Sequence, residues 1–194
     1  MNHLQKIVEE VYANGYSIQP DYFDDETVLQ LLTAFSNLQG QLKKAAIGNQ
    51  DTKTINKSIR SDKIVWLNGD EPNIKRVYDW LDELQLMLNR RCYLGINTRE
   101  FHFAKYDIGD FYKKHKDAFS NSAERKITIL IYLNRNWENN HEGELILYAN
   151  NEEIKVSPKA GTVVVFESHL EHEVLPSNAE RISFTGWLKN SKHI

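Results

Sequence analysis

Cysteine is almost absent from this sequence, since Cys92 is the single example among 194 residues. One cysteine excludes an internal disulfide and is typical of a reducing compartment. Long apolar runs are also missing, so neither a secretory signal nor a membrane span is expected. Neither sign of charge is in large excess, and a net charge of -3 gives no reason to expect binding to nucleic acid or membranes. These absences predict a cytoplasmic protein.

The first half of the chain has helical periodicity. Apolar residues recur every three to four positions in several stretches, which is the spacing of helices that bury one face. Gly15 is expected to end the first helix, and Asp24 or Asp25 to cap the second. A third helix is expected to open at Pro72, a residue suited to a first turn. A short strand, Tyr16 to Gln19, is predicted after the first helix.

From about Phe101 onwards the periodicity changes to two. Apolar residues at every second position are typical of strands that bury one face. Glycine, proline and asparagine divide this half into short segments. Many short strands closing on themselves predict a jelly-roll or a barrel, with the helices packed outside it. The predicted strands are 127–133, Glu144 to Tyr148, Glu153 to Val156, Thr162 to Phe166 and Arg181 to Leu188.

A histidine and a carboxylate two residues apart, His115 and Asp117, are suited to bind one metal ion. Positions i and i+2 of an extended chain point to the same side, so both side chains can reach a common point. A second histidine from a distant strand would complete a set of two histidines and one carboxylate, which is diagnostic of non-haem iron(II) oxygenases. His169 and His172 are both candidates. Because residues three apart on a strand face opposite ways, only one of them fits.

The segment that follows carries an arginine suited to a carboxylate ligand. Turn-forming residues at 176–178 predict a hairpin that brings Arg181 back beside His172. An inward-facing arginine costs free energy unless an anion meets it, and its planar fork binds a carboxylate through two hydrogen bonds. An internal salt bridge is the alternative explanation for this arginine. The residues expected to share its face of the strand are Ser183, Thr185 and Trp187.

Together these features resemble a known family. The HxD pair, a distal histidine and an arginine nine residues after it match the motif of the prolyl 4-hydroxylase family of 2-oxoglutarate oxygenases. The similarity extends to the segments SIRSDKIVWL, ILIYLNRNW and FTGW, and is strongest to the oxygen-sensing prolyl hydroxylases and their bacterial relatives. The resemblance implies an α+β fold and one domain over 1–194. Helical support would occupy 1–92, and a double-stranded β-helix (jelly-roll) core would occupy 93–194.

The resemblance also assigns the metal site and its cofactors. His115, Asp117 and His172 would be the Fe(II) ligands, whereas His169 would not be one. The family implies 2-oxoglutarate as cosubstrate and O2 as oxidant. Ascorbate is a candidate further cofactor.

Positions for the cosubstrate and the substrate are implied as well. Arg181 would bind the C5 carboxylate of 2-oxoglutarate, supported by the hydroxyls of Tyr132 and Thr185. Tyr106 would lie near the other end of the cosubstrate. The polar segment 48–62 matches a mobile loop that closes over the peptide substrate in this family. The residues implied to border the substrate pocket are Tyr112, Arg125 and Trp187, with a core position as the alternative for Trp187.

The substrate implied by the resemblance is a prolyl residue in a protein, with a translation factor such as elongation factor Tu as a candidate. A small molecule or another side chain is an alternative substrate, and a catalytically inactive jelly-roll binding module is a different class of function. Nucleic acid is not expected, because the demethylases of this superfamily typically carry a second arginine where this chain has Trp187. A zinc hydrolase is disfavoured because it needs no buried arginine opposite its metal.

Overall fold

The structure is a computed structural model that describes residues 2–45, 58–118 and 124–191. Within these residues lie three α-helices, eleven strands and two short 3-10 turns, Gln39–Gln41 and Asn139–His141. The helices are α1 His3–Asn14, α2 Asp25–Leu38 and α3 Lys75–Cys92. The strands are β1 Tyr16–Gln19, β2 Lys43–Lys44, β3 Lys63–Trp66, β4 Thr98–Tyr106, β5 Tyr112–His115, β6 Arg125–Tyr132, β7 Leu145–Ala149, β8 Glu152–Val156, β9 Val163–Glu167, β10 Glu171–Val174 and β11 Arg181–Lys189.

The helix ends follow local chemistry. Gly15 ends α1 in the left-handed region, with a φ of 84°, as the sequence predicted. Asp24 caps α2 by accepting a hydrogen bond from the backbone N–H of Thr27, which confirms the first of the two predicted caps. The start predicted for α3 at Pro72 is wrong. Asn73 has a φ of 71°, which no α-helix accommodates, so the helix begins only at Lys75. No helix within the described residues has the length and hydropathy that a bilayer span requires.

The strands form two antiparallel sheets. The larger sheet has seven strands in the order β1-β9-β6-β11-β4-β3-β2, and the smaller has four in the order β5-β10-β7-β8. One face of the larger sheet packs against the helices, and residues of both sheets meet in a second apolar cluster between them. Two antiparallel sheets packed face to face, with helices outside, form the α+β jelly-roll that was predicted. The first half of the chain also supplies β1, β2 and β3 to the larger sheet.

The predicted hairpin between residues 172 and 181 is wrong. β10 pairs with β5 and β7 in the smaller sheet, whereas β11 pairs with β4 and β6 in the larger one. The connecting turn bonds elsewhere, because Gly143 N–H donates to Pro176 O at 3.1 Å and Asn178 N–H to His141 O at 2.7 Å. The chain therefore crosses from one sheet to the other, and residues of β10 and β11 meet across the space between the sheets.

Gly186, in the FTGW segment, is required by close packing. A Cβ at this buried position would collide with the backbone oxygen of Glu100 and with the ring of Phe101 on the neighbouring β4. We expect Gly186→Ala to lower the free energy of unfolding by about 1–3 kcal/mol, the usual cost of overpacking, as measured by chemical denaturation.

The matched control is Gly40→Ala. Among the described residues no atom lies within 4 Å of a Cβ added to Gly40. Its stability should stay within about 0.5 kcal/mol of the unmodified protein. Equal stabilities for both alanine variants would show that the backbone at Gly186 can move aside.

Candidate active site

Three side chains suited to a metal ion meet between the sheets. His115 and His172 are directly opposite each other on the paired strands β5 and β10, and Asp117 follows just after β5. One ligand atom from each of the three lies within 4.8 Å of the others. The Asp117 carboxylate is 3.5 Å from His115 Nε2 and 3.4 Å from His172 Nε2. The HxD pair and one distal histidine are therefore brought together, as the sequence predicted.

The hydrogen bonds of the two histidines prepare them as ligands. His115 Nδ1 is 2.7 Å from Lys113 O, and His172 Nδ1 is 3.1 Å from Leu170 O. A carbonyl oxygen only accepts, so each Nδ1 carries the proton and each Nε2 of a neutral ring keeps its lone pair. Burial lowers the pKa of His172 to about 4, which keeps this ring neutral at pH 7. Both Nε2 atoms face Asp117, where a cation would join all three.

Asp117 is a buried carboxylate that stays ionised. Burial alone would raise its pKa, but the neighbouring His172 and His115 lower the pKa well below the usual aspartate range. Its Oδ2 accepts a hydrogen bond of 2.9 Å from Thr128 Oγ1. A buried carboxylate between two imidazole nitrogens is a site for a cation. His169, the rival candidate, is exposed beside Glu167 and lies outside this cluster.

Arg181 is buried without a carboxylate partner among the described residues. Its side chain is the largest of those that are fully buried, with 1% exposure, and its Nε and Nη2 have no hydrogen-bond partner there. Its guanidinium lies 4.8 Å from the ring centre of Tyr106 and 5.0 Å from that of Tyr132. The hydroxyl of Tyr132 also has no hydrogen-bond partner in the described part of the chain. These unpaired donors fit a carboxylate ligand. The alternative, an internal salt bridge of Arg181, is not formed with any residue that the structure describes.

One cavity of about 120 Å³ joins the metal-binding cluster to Arg181. Strand β11 lines it with the alternate residues that the sequence predicted, while Phe184 and Leu188, on the opposite face, pack toward the helices. Thr185 Oγ1 is 2.9 Å from Ser183 Oγ on the same face. The β11 residues that line the cavity are Arg181, Ser183, Thr185 and Trp187.

Aromatic rings and guanidinium groups form another part of the cavity wall. The ring of Tyr112 stacks on that of His115, with centroids 3.5 Å apart. The Arg125 guanidinium lies 3.5 Å from the ring centre of Trp187 and donates to Glu100 Oε1 at 2.8 Å. Trp187 lines the cavity and is also buried, with 8% exposure.

Two residues of this wall were not singled out from the sequence. His102 packs beside the rings of Trp66 and Trp187, and its Nδ1 has no partner among the described residues. Burial, together with the charges of Arg60 and Arg125, lowers the pKa of His102 to about 3, so the ring is neutral. Strand alternation carries the signal that was missed, because a residue four before Tyr106 shares its face.

Arg60 is the second residue of the cavity wall that was not singled out from the sequence. It donates to Asp62 at 2.8 Å and 2.7 Å and lies over the Tyr112 ring at 4.2 Å. Arg60 and Asp62 belong to the segment 48–62, which the family resemblance implies to be a loop that closes over the substrate. Residues 48–57 of that segment lie outside the described residues. The described remainder borders the cavity through Arg60.

Comparisons with known proteins agree with this geometry. A sequence profile of the 2OG-Fe(II) oxygenase superfamily matches residues 101–189, which run from β4 to β11. "Egl nine homolog 1" of Homo sapiens is 27% identical over 198 residues, covering 95% of this chain and 46% of the relative. The chain spans about half the length of the curated relatives it matches first.

Solved structures match over nearly the whole chain. A Pseudomonas putida prolyl-4-hydroxylase is 30% identical with a TM-score of 0.87, covering 97% of this chain and 100% of its own. A Trichoplax adhaerens prolyl hydroxylase, solved with a peptide of the hypoxia inducible factor oxygen degradation domain, is 28% identical with a TM-score of 0.87, covering 96% and 89%. The chain therefore belongs to the 2OG-Fe(II) oxygenase superfamily, and within it the chain is similar to prolyl hydroxylases.

Proposed function

We propose that this chain hydroxylates a prolyl residue of a protein substrate, using Fe(II) held by His115, Asp117 and His172 and 2-oxoglutarate held by Arg181. The observation that carries the proposal is the shared cavity, which joins a metal-binding cluster to a buried arginine with unpaired donors. Bound iron and 2-oxoglutarate together activate O2 for C–H hydroxylation, with succinate and carbon dioxide as by-products.

The residues of the chain position the two groups. The Nδ1 hydrogen bonds of the histidines fix their rings and leave Nε2 free to bind a metal. Arg181 selects a ligand that has a carboxylate at the far end of the cavity, because a shorter acid would leave its charge buried and unpaired. Tyr132 adds a hydroxyl group near that end, Tyr106 borders the guanidinium, and Thr185 lines the same cavity.

The substrate proposal rests on the relatives and on the cavity wall. The relatives include enzymes named as prolyl hydroxylases, and one of them was solved with a peptide. The rings of Tyr112 and Trp187 line the same cavity and supply apolar surface for a pyrrolidine ring, and Arg125 lies over Trp187. A translation factor such as elongation factor Tu is our candidate substrate. We also propose a cytoplasmic location, and ascorbate as a cofactor that keeps the iron reduced.

The test compares cells that contain the active enzyme with cells that contain Asp117→Ala. Removing this carboxylate should abolish metal binding and therefore hydroxylation. We expect mass spectrometry of cellular proteins to find proline residues with an added oxygen (about +16 Da) only where the active enzyme is present.

Asp79→Ala is the matched control for this experiment. Asp79 is exposed and its carboxylate pairs only with Lys75 among the described residues. Proline oxidation in cells that contain Asp79→Ala should equal that in cells that contain the unmodified enzyme. If no proline oxidation depended on Asp117, the prolyl substrate would be ruled out, while succinate formation by the purified enzyme would still identify an oxygenase.

A further inference from the structure

We infer that Thr128 and Ser168 form a relay of hydroxyl groups that orients the Asp117 carboxylate for metal binding. The inference rests on the proposed function, because it treats Asp117 as a metal ligand. Thr128 and Ser168 are each only 1% exposed, and both lie beside the metal-binding cluster without belonging to it. They would act as positioning residues, through the carboxylate.

The direction of the relay follows from the donors available. Thr128 Oγ1 is 2.9 Å from Asp117 Oδ2 and 2.9 Å from Ser168 Oγ. An ionised carboxylate only accepts, so the single hydroxyl proton of Thr128 points to Asp117. Ser168 must then donate to Thr128. The chain of donors runs from Ser168 through Thr128 to Asp117 Oδ2, which leaves Oδ1 turned toward His115.

Asp117 needs such support more than the two histidines do. His115 and His172 sit in strands of the smaller sheet, and the pairing of those strands fixes them opposite each other. Asp117 lies beyond the end of β5. Its backbone N–H and that of Ala118 both donate to Ser168 O, at 3.1 Å and 2.9 Å. Ser168 therefore contacts Asp117 in two ways. Its carbonyl oxygen accepts the backbone N–H of Asp117, and its hydroxyl acts on the Asp117 carboxylate through Thr128.

The relay also links the two sheets. Thr128 lies in β6 of the larger sheet, opposite Phe166 of β9. Ser168 directly follows β9, and its N–H donates to Lys126 O at 3.0 Å. These hydrogen bonds therefore fix the Asp117 carboxylate relative to the larger sheet, which also carries Arg181. The two histidines belong to the smaller sheet. We expect this link to fix the position of the metal-binding cluster relative to Arg181 across the cavity.

Two buried hydroxyls could also simply satisfy each other, without any effect on a metal. The two cases differ in the affinity for a metal ion. Loss of a group that orients a metal ligand typically costs 10- to 100-fold in metal affinity. A pair that only satisfies itself would change protein stability and leave that affinity unaltered.

The experiment measures the dissociation constant of Mn²⁺ from the purified protein, using the electron paramagnetic resonance signal of the free ion and no turnover. Thr128→Val keeps the shape of the side chain and removes the hydroxyl, and we expect affinity to fall by about 10- to 100-fold. Thr128→Ser restores the hydroxyl and should restore most of the affinity. Ser168→Ala should give a smaller loss, because Ser168 acts through Thr128.

Thr162→Val is the matched control. Thr162 is a buried threonine that does not line the cavity, and its replacement should leave Mn²⁺ affinity unchanged. Thermal melts of each variant identify those that are folded. Unchanged affinity in folded Thr128→Val, or in Ser168→Ala if the valine variant does not fold, would overturn the relay. Failure of the proposed function looks different, because no proline oxidation in cells would then depend on Asp117, whatever the Mn²⁺ affinities of the variants.

Discussion

Arg181→Ala should abolish turnover at low concentrations of 2-oxoglutarate, through lost affinity for it, while the protein still binds its metal. The guanidinium is buried, and within the described residues its Nε and Nη2 have no partner, so the cosubstrate carboxylate is the anion that would pair with it. Removing one partner of a buried, hydrogen-bonded charge pair costs about 2–5 kcal/mol. That corresponds to a loss of roughly 30- to 4000-fold in affinity for 2-oxoglutarate. Succinate formation followed by NMR measures turnover, and Mn²⁺ titration measures metal binding.

Two further variants make this result specific. Arg181→Lys keeps the charge but loses the planar fork, so it should recover only part of the activity. Arg99→Ala removes an arginine of β4 that pairs with Asp82 on α3, and it should leave turnover unchanged. Unchanged decarboxylation in Arg181→Ala would show that another group binds the distal carboxylate.

His172→Ala should lose metal binding, whereas His169→Ala should keep it. The two histidines are three residues apart, yet His172 is buried against Asp117 and His169 is exposed beside Glu167. Loss of one of three protein ligands should weaken Mn²⁺ binding by more than the roughly 100-fold upper range seen for a supporting partner. The titration with Mn²⁺ measures both variants under the same conditions.

The histidine pair also controls for general damage. His169 belongs to the same connection between β9 and β10 as Ser168, so its replacement tests whether disturbance of this segment alone affects the metal. A loss of affinity in His169→Ala equal to that in His172→Ala would contradict the assignment. Such a result would mean that the segment, rather than one imidazole, determines binding.

Local patterns in the sequence predicted much of the fold and of the site. Gly15 and Asp24 mark helix ends because each acts on its own backbone neighbourhood. Strand alternation placed Arg181 and Trp187 on one face and Phe184 on the other, because the period of a strand is independent of its partners. These features need no knowledge of distant parts of the chain.

The features that the sequence did not predict depend on contacts between distant segments. The turn at 176–178 looked like a hairpin, but its hydrogen bonds to residues 141–143 send the chain to the other sheet. The prediction that Arg181 and His172 meet in one site agrees with the structure, although they meet across two sheets rather than along one hairpin. Thr128 and His102 gain their positions only when their strands pair, so periodicity alone could not connect them to the metal-binding cluster.

A crystal structure of the protein with Mn²⁺ and 2-oxoglutarate, with the metal located by its anomalous scattering, tests the proposed site directly. We expect one strong peak between His115, Asp117 and His172, and a cosubstrate whose distal carboxylate is bound by Arg181. A metal bound elsewhere, or a cosubstrate whose carboxylates both lie away from Arg181, would contradict it.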